Sequence, residues 1–165
     1  MFQRRQFLLT ITATLIGARF AVAETAGEAN ERILTVDGKT AAGRTFQFTR
    51  DDMLNLGAER VSTHTPWHDG LVDFDGVLAR DLMTLVGATG ENAAIFALDD
   101  YQVDVPLADF TQYDAIFAYA MNGKPLTVED KGPLFLVYPY DSKPQLATET
   151  YYARSIWQIA RIRIL

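Results

Sequence analysis

The amino-acid sequence predicts a mixed α+β domain, rich in short strands and carrying two or three helices. Three observations carry that expectation. Apolar and aromatic runs recur at strand length, each bounded by Asp, Gly, Asn or Pro. One segment, from Leu78 to Val86, has helical spacing instead, and Gly87 follows it. Asn122-Gly123 lies between two strand-like runs and is the strongest two-residue hairpin signal.

Taken in order, residues 1–23 read as an export signal and not as part of the fold. Arg4 and Arg5 precede a short apolar run of Phe7, Leu8, Leu9, Ile11, Leu15 and Ile16, and Ala21-Val22-Ala23 supplies the small residues of a cleavage site. The paired arginines followed by Phe7-Leu8 resemble a twin-arginine signal. Gly17 and Arg19 break the run well short of the roughly 20 residues a membrane span requires. The expectation is cleavage after Ala23, a periplasmic location and no integral membrane segment. Residues 24–31 form a polar leader, and one folded domain covers 32–165.

Within that domain, Ile33, Leu34 and Val36 before Asp37-Gly38 predict a strand, with Thr45 to Phe48 as its returning partner. Thr49 and Asp52 have capping-box spacing and start a short helix that stops at Gly57. Arg60 to Trp67 is extended and leads into a loop, His68 to Gly76. The second helix starts at Asp75 or Gly76, and Leu78, Leu82, Leu85 and Val86 form its apolar face. Ala93 to Leu98 and Tyr101 to Val105 are strands joined at Asp99-Asp100 and closed by Pro106. Ala115 to Met121 turns at Asn122-Gly123 and continues through Leu126. Leu134 to Tyr138 is apolar enough to be buried on both faces. Asp141 to Thr150 is a polar loop, and Trp157, Ile159, Ile162 and Ile164 suggest a bulged last strand.

Charge and composition exclude several functions. Three of the 15 basic residues and none of the 21 acidic ones fall in the first 23, which leaves 12 against 21 and a net charge of −9. Such a surface repels polyanions, so no nucleic-acid partner is expected. The chain has no cysteine, which rules out disulfides, thiolate metal ligands and cysteine nucleophiles. Neither Ser62 nor Ser155 sits in a Gly-x-Ser-x-Gly elbow. His64 and His68 are the only histidines and form a candidate metal pair with Asp69 or Asp73, although Pro66 between them argues against a shared helix face. Asp99-Asp100 reads as turn chemistry rather than an acid–base pair. Tyr138, Tyr140, Tyr151 and Tyr152 flank the Asp141 to Thr150 loop as a candidate ligand or partner rim.

Several pieces match one family in order and spacing: Phe74-Asp75-Gly76-Val77-Leu78 leading into Asp81-Leu82, Asp100-Tyr101 before Val105-Pro106-Leu107, Ala118 to Leu126, Lys131-Gly132-Pro133-Leu134, and Ser155-Ile156-Trp157. Together they resemble the molybdopterin-binding domain of the sulfite-oxidase-like oxidoreductases, particularly the short periplasmic members. That resemblance implies a single strand-rich domain and a molybdenum pterin cofactor held by a cysteine thiolate about four residues before a tryptophan. The corresponding residue here is Thr63, upstream of Trp67. The family's His-Gly pair is Lys131-Gly132, and the basic residue beside Ser155 is Arg154.

The resemblance therefore places a ligand pocket among Thr63, His64, Trp67, Asp100, Tyr101, Lys131, Gly132, Arg154 and Ser155, with Lys131 and Arg154 as anchors for an anionic group. No catalytic residue is assigned and no bound cofactor is expected. The expected function is a ligand-binding or protein-interaction module, with a sensory role as one option, whose partner is a small anionic ligand or a periplasmic or membrane sensor protein. The alternatives are an oxidoreductase that keeps a molybdenum pterin without cysteine ligation, and a metal site at His64 and His68.

Overall fold

The computed structural model describes residues 31–165, so the expected export signal of 1–23 and nearly all of the expected leader lie outside the described residues. Ten strands form two five-stranded sheets. In the first, β1 (Arg32–Gly38) pairs antiparallel with β2 (Phe46–Thr49) and parallel with β10 (Ile159–Ile164). Beyond β10 lie β5 (Asn92–Ala97) and β6 (Gln102–Pro106), giving the order β2-β1-β10-β5-β6. The second sheet runs from β3 (Glu59–His64) to β4 (Leu71–Leu78) to β7 (Ile116–Met121). Both β8 (Lys124–Pro125) and β9 (Phe135–Val137) then pair with β7.

Local chemistry accounts for the elements. Thr49 and Asp52 close a reciprocal capping box on α1 (Arg50–Asn55), an arrangement that contributes about 1 kcal/mol. Gly87, at φ 62°, ends α2 (Ala79–Val86). Asn122 and Gly123 both take positive φ, which matches the right-handed twist of the strands they join. The register of β10 against β5 shifts between Ile159 and Arg161, the bulge expected from its broken alternation.

The main core fills the space between the sheets with Leu34, Val36, Ile95, Ile162, Phe117, Leu136 and Tyr138 among others. A smaller cluster of Val61, Val72, Phe74, Ile116, Ala118, Phe135 and Val137 covers the other face of the second sheet. Strands β7 and β9 contribute alternate residues to both clusters, so both of their faces are buried.

Four expectations need correction. The segment expected to be a loop, His68 to Gly76, becomes strand β4 from Leu71, because Val72 and Phe74 alternate with Asp73 and Asp75 at period two. The second helix consequently starts after Leu78 and not at Asp75 or Gly76. Its buried face is Ala79, Leu82, Met83 and Val86, at i, i+3, i+4 and i+7, while Leu85 is 50% exposed: Met83 takes the place given to Leu85, and Leu78 belongs to the preceding strand. Two further helices arise where none was placed. One, α3 (Leu107–Gln112), buries Phe110, and the other, α4 (Glu149–Arg154), grows out of the supposed polar loop because Tyr151 and Tyr152 pack against the core.

The β4–β7 contact fixes the geometry of the second sheet. Register shifts between Asp75 and Gly76, where β7 carries the extra residue Tyr119, and a Cβ on Gly76 would lie 2.4 Å from the Phe117 carbonyl oxygen. Backbone fills that space, so no rotamer change can make room. Gly76→Ala is therefore expected to destabilise the fold by about 3 kcal/mol, measured by urea unfolding against the parent chain.

Candidate functional site

Strand β3 delivers Thr63 and His64 to the end of the second sheet, opposite Val72 and Leu71 of β4. The turn after β9 brings Tyr140 and Asp141 to the same place. Thr63 is fully buried (0% exposed), so its hydroxyl needs partners within the protein. It accepts the Asp141 N–H (3.1 Å) and donates to Asp141 Oδ1 (3.2 Å). The same carboxylate accepts the His64 N–H (3.0 Å) on Oδ1, and its Oδ2 meets His64 Nδ1 at 2.7 Å. One aspartate thus ties the end of β3 to the segment after β9, residues far apart in sequence. Sequence reading did not single out Asp141, since it looked like the first residue of a loop.

The other expected pocket residues divide between this lock and a neighbouring cleft. Ser155 is buried, accepts or donates a hydrogen bond with the Tyr140 hydroxyl, and donates to the Tyr151 carbonyl (2.9 Å). Burial raises both Tyr138 and Tyr140 above the ordinary phenol value, so both stay protonated. Trp67 packs edge-to-face on Phe135, Tyr152 and Trp157. Asp100 takes φ 65° in the β5–β6 turn, and Tyr101 beside it is 59% exposed. Gly132 is buried with the Leu126 and Thr127 backbone so close that a Cβ has no room.

The two expected anion anchors are engaged elsewhere. Arg154 Nη1 pairs with the buried Asp109 carboxylate at 2.8 Å, and Asp109 also accepts the Tyr138 hydroxyl (3.0 Å). A buried carboxylate needs that cation, so Arg154 is structural where it stands. Lys131 Nζ lies 4.5 Å above the Trp157 ring as a cation–π pair. Both residues had been expected to hold an anion because sequence shows a charge without its partner.

The histidines do not share a site. His64 is held by Asp141, whereas His68 Nδ1 bonds the Thr65 hydroxyl at 2.7 Å. Burial, and next the charge of Lys131, lower the His68 basicity and favour its neutral form. Among the described residues no group of three or more His, Asp or Glu side chains is placed to hold a metal ion.

The cleft beside these residues measures about 390 Å³ and is lined by Trp67, Tyr101, Tyr152, Trp157, Asp99 and Gln158 together with smaller residues. It collects the expected residues Trp67, Tyr101 and Ser155 but neither Lys131 nor Arg154. A thiolate-held molybdenum does not fit the residues present. The position that the resemblance gives to cysteine holds a buried hydroxyl already engaged by Asp141, and a hydroxyl becomes a metal ligand of that kind only on losing its proton.

Comparison with known proteins agrees with the architecture. A family model described as oxidoreductase molybdopterin binding domain matches residues 33–142. The crystal structure of the sulfane dehydrogenase SoxCD from Paracoccus pantotrophus superposes with a TM-score of 0.62 at 17% identity, covering 83% of this chain and 38% of that one. That likeness shows the shared fold, and the chain spans well under half of the larger protein. No curated protein sequence matches the chain. Among the described residues no helix is long and apolar enough to cross a membrane.

The hydrogen bond from the His64 side chain, and then that from its N–H, hold the Asp141 carboxyl below its ordinary value of 3.8. A depressed carboxyl stabilises the fold above its unfolded value and loses that effect as pH falls through the folded one. Asp141→Asn is expected to cost about 1 kcal/mol at pH 7, with Tm lower by about 4 °C. The gap between the two proteins should narrow on acidification below 3.8 in a series of thermal melts.

Proposed function

This chain belongs to the oxidoreductase molybdopterin-binding domain family, and within it we propose a member that has given up metal ligation and works as a ligand-binding module. The observation that supports this reading is Thr63, buried at the position where the resemblance expects the metal-ligating cysteine, its hydroxyl bonded to Asp141. With no cysteine anywhere in the chain, a thiolate cannot come from another position. The aromatic cleft beside Trp67 supplies a concave, mostly apolar surface with a few polar groups, which is the general character of small-ligand sites. The twin-arginine-like start of the chain supports a periplasmic setting, where a folded domain of this kind would meet either a diffusible ligand or a sensor protein.

Metal analysis of the exported protein, purified from a molybdenum-sufficient bacterium alongside a molybdoenzyme control, tests the proposal. The expected content is far below one molybdenum per chain. Molybdenum near one atom per chain would overturn the reading in favour of a pterin-dependent oxidoreductase with oxygen ligation. Zinc or copper at a similar level, lost on His64→Ala, would replace it with a histidine metal site.

A further inference from the structure

We propose that the cleft lined by Trp67 and Trp157 binds a small organic cation of the quaternary-ammonium class. The inference rests on the ligand-binding reading above and names the class of ligand. Four aromatic side chains line the cleft, Trp67, Tyr101, Tyr152 and Trp157, and among the described residues the only charged one in the lining is Asp99. The planes of Tyr152 and Trp157 stand at 83° and 69° to that of Trp67, with ring centroids 6.0 Å and 5.7 Å away, so these three rings pack edge to face as one cluster that lines the cleft. Aromatic faces carry negative potential, so a cleft lined by four rings attracts a cation whose charge is spread over methyl groups.

Asp99 adds a full charge to that field. Its Oδ1 accepts the Tyr101 N–H at 3.1 Å, which seats the carboxylate on the cleft wall, and Oδ2 forms no hydrogen bond among the described residues. Cations that would oppose a positive ligand are held back. Arg154 is committed to Asp109, and Lys131 lies on Trp157 without being part of the cleft lining. An anion would meet the Asp99 carboxylate and four aromatic rings with no positive lining residue. The volume of about 390 Å³ suits a ligand of choline size with water around it.

The chain's two tryptophans both line the cleft, so intrinsic fluorescence of the unmodified protein reports its occupancy. Titrations with choline, tetramethylammonium and the neutral isostere 3,3-dimethyl-1-butanol, at matched ionic strength, separate charge from shape. The expected result is saturable binding of both cations, with choline favoured over the neutral isostere by about tenfold. Asp99→Asn, at an exposed position where folding is not at stake, should weaken the cations several-fold and leave the isostere unchanged. Lys131→Met should tighten the cations by removing a nearby positive charge. Equal binding of choline and the isostere would overturn the cation assignment while leaving a ligand-binding cleft in place. No saturable response to any of the three probes would overturn the assignment as well. The molybdenum content measured above decides the underlying reading separately.

Discussion

Strand β7 is the constraint on which the rest of the molecule depends. It sends Phe117 and Tyr119 into the main core and Ile116 and Ala118 into the smaller one, and it pairs with β4 on one side and with β8 and β9 on the other. A strand buried on both faces has no freedom of register, because a slip of one residue would exchange its two faces between cores of different shape. Everything that hangs on β4 and β9 is therefore placed to within the precision of backbone pairing. Thr63 reaches its position through β3 and β4, and Asp141 through β9, so their contact is a consequence of β7.

From that frame follows the division of labour among the polar groups. Asp141 and Asp109 are the two acidic nodes of this end of the molecule, and they act differently. Asp109 is buried and binds the Arg154 guanidinium and the Tyr138 hydroxyl, so both of its partners come from within the fold. Asp141 is exposed and is satisfied by the Thr63 hydroxyl, the His64 N–H and the His64 ring. The first fastens α4 to the core, and the second fastens β3 to the segment that precedes α4. Between the two, Tyr140 and Ser155 share a buried hydrogen bond. The arrangement leaves no cation pointed into the aromatic cleft, although basic residues stand on either side of it in sequence.

Much of this fold was legible in the sequence, and the reasons are local. The Thr49–Asp52 capping box, the Asn122-Gly123 turn and the doubly buried run near Phe135 each carry their signal within a few residues, and each forms as expected. Strand β4 was misplaced because three aspartates and two glycines between His68 and Gly76 resemble turn chemistry, while the alternation of Val72 and Phe74 spans only one pair of positions. Helix α4 was missed because its stability comes from tertiary packing of Tyr151 and Tyr152 and not from a cap or periodic face. Of the site, sequence order brought forward Thr63, Trp67 and Tyr101. It could not bring forward Asp141 or Asp99, whose roles are defined only by what folds against them. Charge was the least readable property, since Lys131 and Arg154 looked free until their partners Trp157 and Asp109 were in place.

The same packing bears on the proposed loss of metal ligation. In a fold stabilised by a bound group, removing the group leaves buried polar atoms without partners, at a cost of about 1–3 kcal/mol each. Here, among the described residues, every buried side-chain nitrogen and oxygen has a hydrogen-bond partner within the chain. Thr63 is the decisive example: a threonine is close in size to cysteine, but its hydroxyl requires partners that a thiol does not, and Asp141 meets that requirement. The residue and its partner form one unit, and neither is explained alone. The proposed change of role thus leaves no buried polar side chain without a partner among the described residues, and the aromatic cleft has walls that belong to the same cluster of rings that holds Trp67 against Phe135. A binding site built on rings that already support one another needs little ordering when a ligand arrives, which favours affinity for a small molecule with few contacts to offer.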